Sequence, residues 1–111
     1  MMKLKNKLKR VLIKIEYDGF NFSGWQKQKH STSIQQNLED AAKKLTNRIT
    51  FVQGSGRTDA GVHALAQVAH LDVPENLNEY SIVNGLNKWL STNEISVLSA
   101  ETVDKNFHAR F

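Results

Sequence analysis

From Arg10 to Asp18 apolar and polar residues alternate. Val11, Ile13, Ile15 and Tyr17 fall on one side of an extended chain, and Leu12, Lys14, Glu16 and Asp18 on the other. That period of two is the signature of a half-buried strand. After Ser33 the period changes. Ile34, Leu38, Ala41, Ala42 and Leu45 recur at helical steps and form one apolar stripe. Ser33 and Gln36 have the spacing of a capping box. Glu39 and Asp40 lie toward the start of this helix and Lys43, Lys44 and Arg48 at its end, an order that suits the helix dipole. Ile49 to Gln53 reads as a short strand. Ala64 to Val73 reads as another, closed by Pro74, and two strands joined by a loop of this length read as antiparallel neighbours. Asn76 or Asn78 can cap a second helix, with Tyr80, Val83, Leu86 and Leu90 on one stripe, broadened by Ile82 and Trp89. Ile95 to Val103 returns to strand character, with Ile95, Val97 and Ser99 opposite Ser96, Leu98 and Ala100.

The predicted order is β-α-β-β-α-β. It implies an α+β, ferredoxin-like fold: one antiparallel sheet with two helices on one face. A chain of 111 residues is one domain by length, and it can bury about 65% of its unfolded surface, enough for one core without staples. Residues 1–9 read as a basic N-terminal tail and residues 10–111 as the folded lobe. No repeat or low-complexity segment interrupts it.

Composition narrows the picture modestly. An apolar fraction of 40% and a charged fraction of 23% are those of a soluble globular domain. There is no cysteine, so disulfides and thiolate metal sites are excluded. No apolar run approaches a membrane span, and the basic start is not followed by a signal-peptide core and cleavage site. Asn21-Phe22-Ser23 is a formal glycosylation sequon without meaning unless the chain is exported. The cytoplasm is the default location. The formal charge of +4 favours polyanionic partners such as nucleic acid. Five of the fifteen basic residues lie in the first ten positions, however, so a frayed basic tail explains part of it.

The least ordinary stretch is Gly54-Ser55-Gly56-Arg57-Thr58-Asp59-Ala60-Gly61-Val62-His63-Ala64, where three of the six glycines fall within eight residues. Strand-like runs flank it. Glycine serves where the backbone turns sharply or lies close to another group, and loops held by rigid elements are where chemistry is placed. The stretch reads as a glycine-hinged loop presenting Arg57 and Asp59 at a strand end. It is neither a P-loop nor a dinucleotide fingerprint: the Gly-Lys-Ser/Thr ending is absent, and Asp59 stands where a third glycine is needed. Asp and Gly are also ordinary turn residues. The segment from Asp18 to His30 offers Phe20, Phe22 and Trp25, then Lys27, Lys29 and His30. Aromatics beside cations suit base stacking and phosphate contact; the aromatics read rather as core plugs, leaving the cations for RNA. His70 and Asp72 share a strand face and His63 follows Asp59 by four, but no third ligand converges, so no metal site is expected.

Gly56 to Ala64, followed by Gln67-Val68, His70 and Asp72, resembles the signature of the tRNA pseudouridine synthase A family. So do Tyr17-Asp18-Gly19, Phe22-Ser23-Gly24-Trp25-Gln26-Lys27-Gln28, Ser33-Ile34-Gln35 with Leu38-Glu39, Leu86-Asn87, and the closing Phe107-His108-Ala109-Arg110-Phe111, in the same order. The resemblance covers nearly all of the chain after Arg10. It implies that Asp59 is the catalytic nucleophile. A carboxylate is ionised at neutral pH and needs no activating base. Isomerising uridine to pseudouridine is neither redox nor hydrolysis, so no cofactor or metal is implied. Attack at C1′, attack at C6 and assistance of a glycal route all stay open. Arg57 would orient Asp59, hold it ionised, or enter the RNA stack as the target base is extruded. Under the resemblance the partner is tRNA, modified in its anticodon stem-loop, with Lys27, Lys29, His30, Arg57 and His63 as RNA contacts. The full-length protein is expected to be a homodimer.

One departure qualifies this. Chains of the family continue past the Phe-His-Ala-Arg-Phe block into a second ferredoxin-like lobe that supplies a stacking Tyr and further basic residues. This sequence stops at Phe111. The expectation is a folded lobe that is inactive, or nearly so, by itself. A non-catalytic RNA-binding module is the alternative, and a protein-interaction domain a weaker one.

Overall fold

Alternation over 11–17 produces a strand because one side of it is covered. In the computed structural model, which describes residues 7–17, 34–54, 64–90 and 95–106, strand β1 runs Leu8–Tyr17. It takes in Leu8 and Lys9, which the sequence had placed in the tail. Val11, Ile13, Ile15 and Tyr17 are buried, and the residues between them are half-buried or exposed. Helix α1 (Ile34–Thr46) lays Ile34, Leu38, Ala41 and Ala42 on that face. It ends at Asn47, whose φ of 58° is the left-handed conformation common just past a helix end. The Asn47 N–H closes the helix by donating to Lys43 O at 2.8 Å.

Strands β2 (Gln53–Gly54), β3 (Ala64–Pro74) and β4 (Ile95–Val103) complete a sheet of order β2-β3-β1-β4. β1 is antiparallel to β3 and to β4, and β2 is antiparallel to β3. Each helix therefore crosses between two parallel, non-adjacent strands, the ferredoxin-like arrangement expected from the element order. Helix α2 (Glu79–Trp89) packs beside α1. Asn78 caps it, its Oδ1 accepting the Ser81 N–H at 2.7 Å. A Cβ on Gly85 would overlap the Leu45 side chain, so the small residue lets the two helices approach. Core residues come from β1, β3, β4, both helices and Val52. Full burial of Ile13, Ile15, Leu38 or Leu71 contributes about 1.5–3 kcal/mol each.

Four local expectations need correction. The strand expected over Ile49 to Gln53 pairs only at Gln53 and Gly54, although Thr50 and Val52 are buried and Ile49 and Phe51 exposed as alternation requires. The stripe of α2 is centred on Ile82 and Leu86, with Val83 and Leu90 beside them, whereas Tyr80 is 79% exposed. Glu39 and Asp40 lie beyond the first turn of α1, which holds no acidic residue, so they do not serve its dipole. Finally, Ser99 is not in phase with Val97. Lys14 pairs with Ser99 but Ile15 with Val97, so an extra residue at Leu98 moves Ala100 onto the core face.

Candidate active-site loop and its anchors

Asp59, Arg57 and His63 lie in segment 55–63, and Lys27, Lys29 and His30 in segment 18–33, both outside the described residues. The structure describes the ends from which these segments depart. Segment 18–33 leaves β1 at Tyr17. Segment 55–63 leaves β2 at Gly54 and enters β3 at Ala64. Tyr17 pairs with Ala64 on one side and with Ile95 on the other. Segment 18–33 thus departs, and segment 55–63 enters β3, at one end of the sheet, where the connection into β4 also arrives; segment 55–63 leaves β2 nearer mid-sheet, at Gly54 opposite Ala69.

Both arms of segment 55–63 are held by buried polar side chains. On the incoming arm the Val52 N–H donates to Glu39 Oε2 at 2.9 Å, and Gln35 Nε2 donates to the Val52 carbonyl at 3.1 Å and to Glu39 Oε2 at 3.3 Å. Glu39 is only 7% exposed. Two backbone groups beside an edge strand are thereby satisfied from α1. Gly54 then pairs with Ala69. On the outgoing arm the Tyr17 O–H donates to Gln67 Oε1 at 2.9 Å inside the core. Gln67 pairs with Ile15 while Ala64 pairs with Tyr17. β3 therefore spends one more residue than β1 over this interval, which is a bulge. Bulges re-aim the chain and concentrate beside active sites. With the bulge at Leu98, both neighbours of β1 carry an extra residue alongside Lys14 to Tyr17. In β4 the Asn87 amide holds both backbone groups of Val97, accepting its N–H at 2.8 Å and donating to its carbonyl at 3.0 Å.

Tyr17, Gln35, Glu39, Gln67 and Asn87 all stand within the blocks that carry the family resemblance, but the residue pattern gave none of them an anchoring role: Tyr17 read only as an inward strand residue and Glu39 only as a charge near the helix start. The one available signal was a polar residue where the pattern demands an apolar one. Gln67 occupies the inward phase of β3 with Ala69, Leu71 and Val73. Glu39 lies beside Leu38 at the margin of the stripe.

The His70–Asp72 pair on β3 is engaged otherwise. Asp72 accepts from Arg10 Nε at 2.9 Å and Arg10 Nη2 at 3.1 Å, a bidentate cross-strand ion pair. The Asp72 hydrogen bond raises the Arg10 pKa above its ordinary value, with a smaller Coulombic contribution and against the cost of desolvation. His70 is buried opposite Gln53. Among the described residues no three His, Cys, Asp or Glu side chains converge on a metal position. No described helix is long and apolar enough to cross a membrane. A groove of about 230 Å³ lined by Leu8, Lys9, Arg10, Asp72 and Lys105 lies at the opposite end of the sheet, and is below the size typical of small-molecule sites.

Comparison with known families fits this layout. The family model described as tRNA pseudouridine synthase matches residues 13–111. The chain belongs to the tRNA pseudouridine synthase family. Among proteins named tRNA pseudouridine synthase A, that of Ehrlichia chaffeensis is 54% identical over 92% of this chain and 42% of its own length. That of Maricaulis maris is 49% identical over 92% and 41%, and that of Zymomonas mobilis 44% identical over 94% and 42%. The chain thus spans about two-fifths of the length of the curated relatives it matches.

Proposed function

We propose that this chain is the lobe of a tRNA pseudouridine synthase that presents the catalytic aspartate, Asp59. The observation that carries the reading is the family match over residues 13–111, and it is supported by the buried anchors on either side of the Asp59 segment, one of which, Tyr17 with Gln67, lies at the sheet end where segment 18–33 departs. The reaction breaks the N1–C1′ bond of uridine, turns the uracil, and joins C1′ to C5. The C5 proton is lost to solvent and N1 gains one, so atoms balance without a co-reactant. Asp59 supplies the carboxylate that carries the detachment. Arg57 holds Asp59 ionised or fills the space of the extruded base. Lys27, Lys29, His30 and His63 contact the RNA, the lysines through backbone phosphates. The substrate is the anticodon stem-loop of tRNA, and the working protein is a cytoplasmic homodimer in which a second lobe completes the cleft.

The rival reading is a module that only binds RNA. Sheets that read single-stranded RNA by stacking do so with aromatics on their open face. Among the described residues the outer face of the two central strands carries Arg10, Leu12, Lys14, Glu16, Val68, His70 and Asp72, with no aromatic apart from the buried His70. That favours catalysis in the loops over readout by the sheet.

The test is tritium release from C5-labelled uridine in unmodified tRNA. The full-length protein is expected to turn over and the 111-residue chain to show little or none. Asp59→Asn in the full-length protein is expected to lower turnover by roughly 10³-fold or more while tRNA binding is kept. Full activity of Asp59→Asn would remove the aspartate mechanism. Binding without turnover in the unaltered full-length protein would favour the module.

A further inference from the structure

We infer that the buried Tyr17–Gln67 hydrogen bond is a positioning device for the Asp59 segment, making Tyr17 and Gln67 positioning residues for catalysis. The inference rests on the reading of Asp59 given above.

The argument starts from chain length. Ala64 lies five strand residues before Ala69, the partner of Gly54. The two ends of segment 55–63 are therefore about 17 Å apart along the sheet. The chain between them spans up to roughly 33 Å when extended. The tether is nearly twice the gap, so the separation of its ends does not fix where Asp59 sits. Holding each end in one place narrows that freedom, and a catalytic carboxylate tolerates little error.

The incoming end is fixed at Val52 by Glu39 and Gln35. The outgoing end enters β3 through a bulge, where the ladder to β1 is irregular. At that weak point the chain places one polar pair inside an apolar core: Tyr17, 4% exposed, donating to Gln67, 9% exposed. A phenol and an amide buried together gain little net stability over two apolar groups that fill the same space, yet an unpaired partner is costly. What the pair supplies is direction. It specifies one register between the end of β1 and the start of β3. Because Tyr17 is also the last residue of β1, the same bond ties the root of segment 18–33, with Lys27, Lys29 and His30, to the root of segment 55–63.

The experiment uses the full-length protein and the tritium-release assay, with kcat and KM for tRNA measured separately and the folded fraction followed by circular dichroism. Tyr17→Phe keeps the ring and removes the hydroxyl. It is expected to lower kcat about 10–100-fold per folded molecule with KM for tRNA nearly unchanged. Gln67→Met breaks the same bond from the other side and is expected to do the same, whereas Gln67→Glu keeps an acceptor and retains most of kcat. The double variant Tyr17→Phe/Gln67→Met is expected to lose less than the product of the two single losses, since the shared bond is lost once. The Gln67 variants carry the test if Tyr17→Phe does not fold. Unchanged kcat in both bond-breaking variants, or losses that track the folded fraction alone, would overturn the inference. Asp59→Asn in the same assay separates the two failures: if it abolishes turnover while Tyr17→Phe does not, the positioning role falls and the catalytic reading stands.

Discussion

The two ends of the sheet are built differently. At one end, where Tyr17, Ala64 and Ile95 meet, both partners of β1 carry a bulge. Two sets of polar side chains reach into the structure there, Tyr17 with Gln67 and Asn87 with Val97; the bonds of Glu39 and Gln35 to Val52 lie farther along the sheet, one residue before Gln53 pairs with His70. At the other end the ladder is regular, from Leu8 opposite Pro74 through Lys14 opposite Val68. The polar contacts there include a part-exposed ion pair, Arg10 with Asp72, a backbone bond from Glu75 N–H to Lys7 O at 2.8 Å, and an exposed bond from Thr102 N–H to Glu79 Oε2 at 2.8 Å. Regular ladder needs little polar reinforcement because period and register specify it. Irregular ladder must be specified some other way, and buried side-chain hydrogen bonds do that at small net gain but large cost when broken. The irregular end is also the one where segment 18–33 departs and segment 55–63 enters β3, which under the proposed function is where accurate placement is needed.

Breaking the Glu39 anchor should have the largest effect on stability among the polar contacts. Glu39→Ala leaves the buried Val52 N–H without its acceptor and is expected to cost about 1–3 kcal/mol in urea unfolding. Glu39→Gln retains an acceptor and should recover most of that loss. Equal losses for the two variants would mean that the charge, and not the bond to Val52, is what matters. Asn87→Ala comes next, at about 0.5–1.5 kcal/mol. It removes two bonds to Val97, but Asn87 sits at the exposed edge by β4, where water replaces it. Asn87→Asp keeps the acceptor for the Val97 N–H and loses the donor, so its cost should fall between those of the parent and the alanine variant.

The regular parts of the fold were legible because one physical rule governs them. Val11 to Tyr17 alternates since a single face of β1 is covered, and Ile34 to Ala42 repeats at helical steps since one stripe of α1 covers it. The misreadings have equally local causes. Alternation carries no mark of an inserted residue, so Leu98 hid the change of phase in β4. Tyr80 extended the α2 stripe on paper, but the Asn78 cap and the packing of Ile82 and Leu86 turn it outward. Val52 continues the apolar alternation into β2, yet its N–H and carbonyl are taken by α1 side chains and the ladder begins one residue later. Asp59 and Arg57 were singled out by the glycine pattern and by resemblance. Their anchors were not, because the partners lie 50 residues apart in one case and 13 in the other, distances over which no periodicity speaks.

The smallest effect is expected at the regular end, and it is the control that sharpens the contrast. Arg10 and Asp72 have the best ion-pair geometry among the described residues, bidentate at 2.9 and 3.1 Å. The Asp72 side chain is nevertheless 41% exposed, so solvent screens the pair and its worth falls to about 0–1 kcal/mol. Arginine stays charged throughout the working pH range, and its raised pKa moves it further from titrating. Asp72→Asn should therefore shift the urea midpoint only slightly, by an amount that shrinks further as salt is raised from 50 to 500 mM. In the full-length protein it should leave kcat unchanged, because the register between β1 and β3 at that end is held by unbroken ladder on both sides of the pair. A loss of kcat comparable to that of Tyr17→Phe would mean that placement of the Asp59 segment depends on the whole length of β1 and β3. The distinction between the two ends of the sheet would then dissolve.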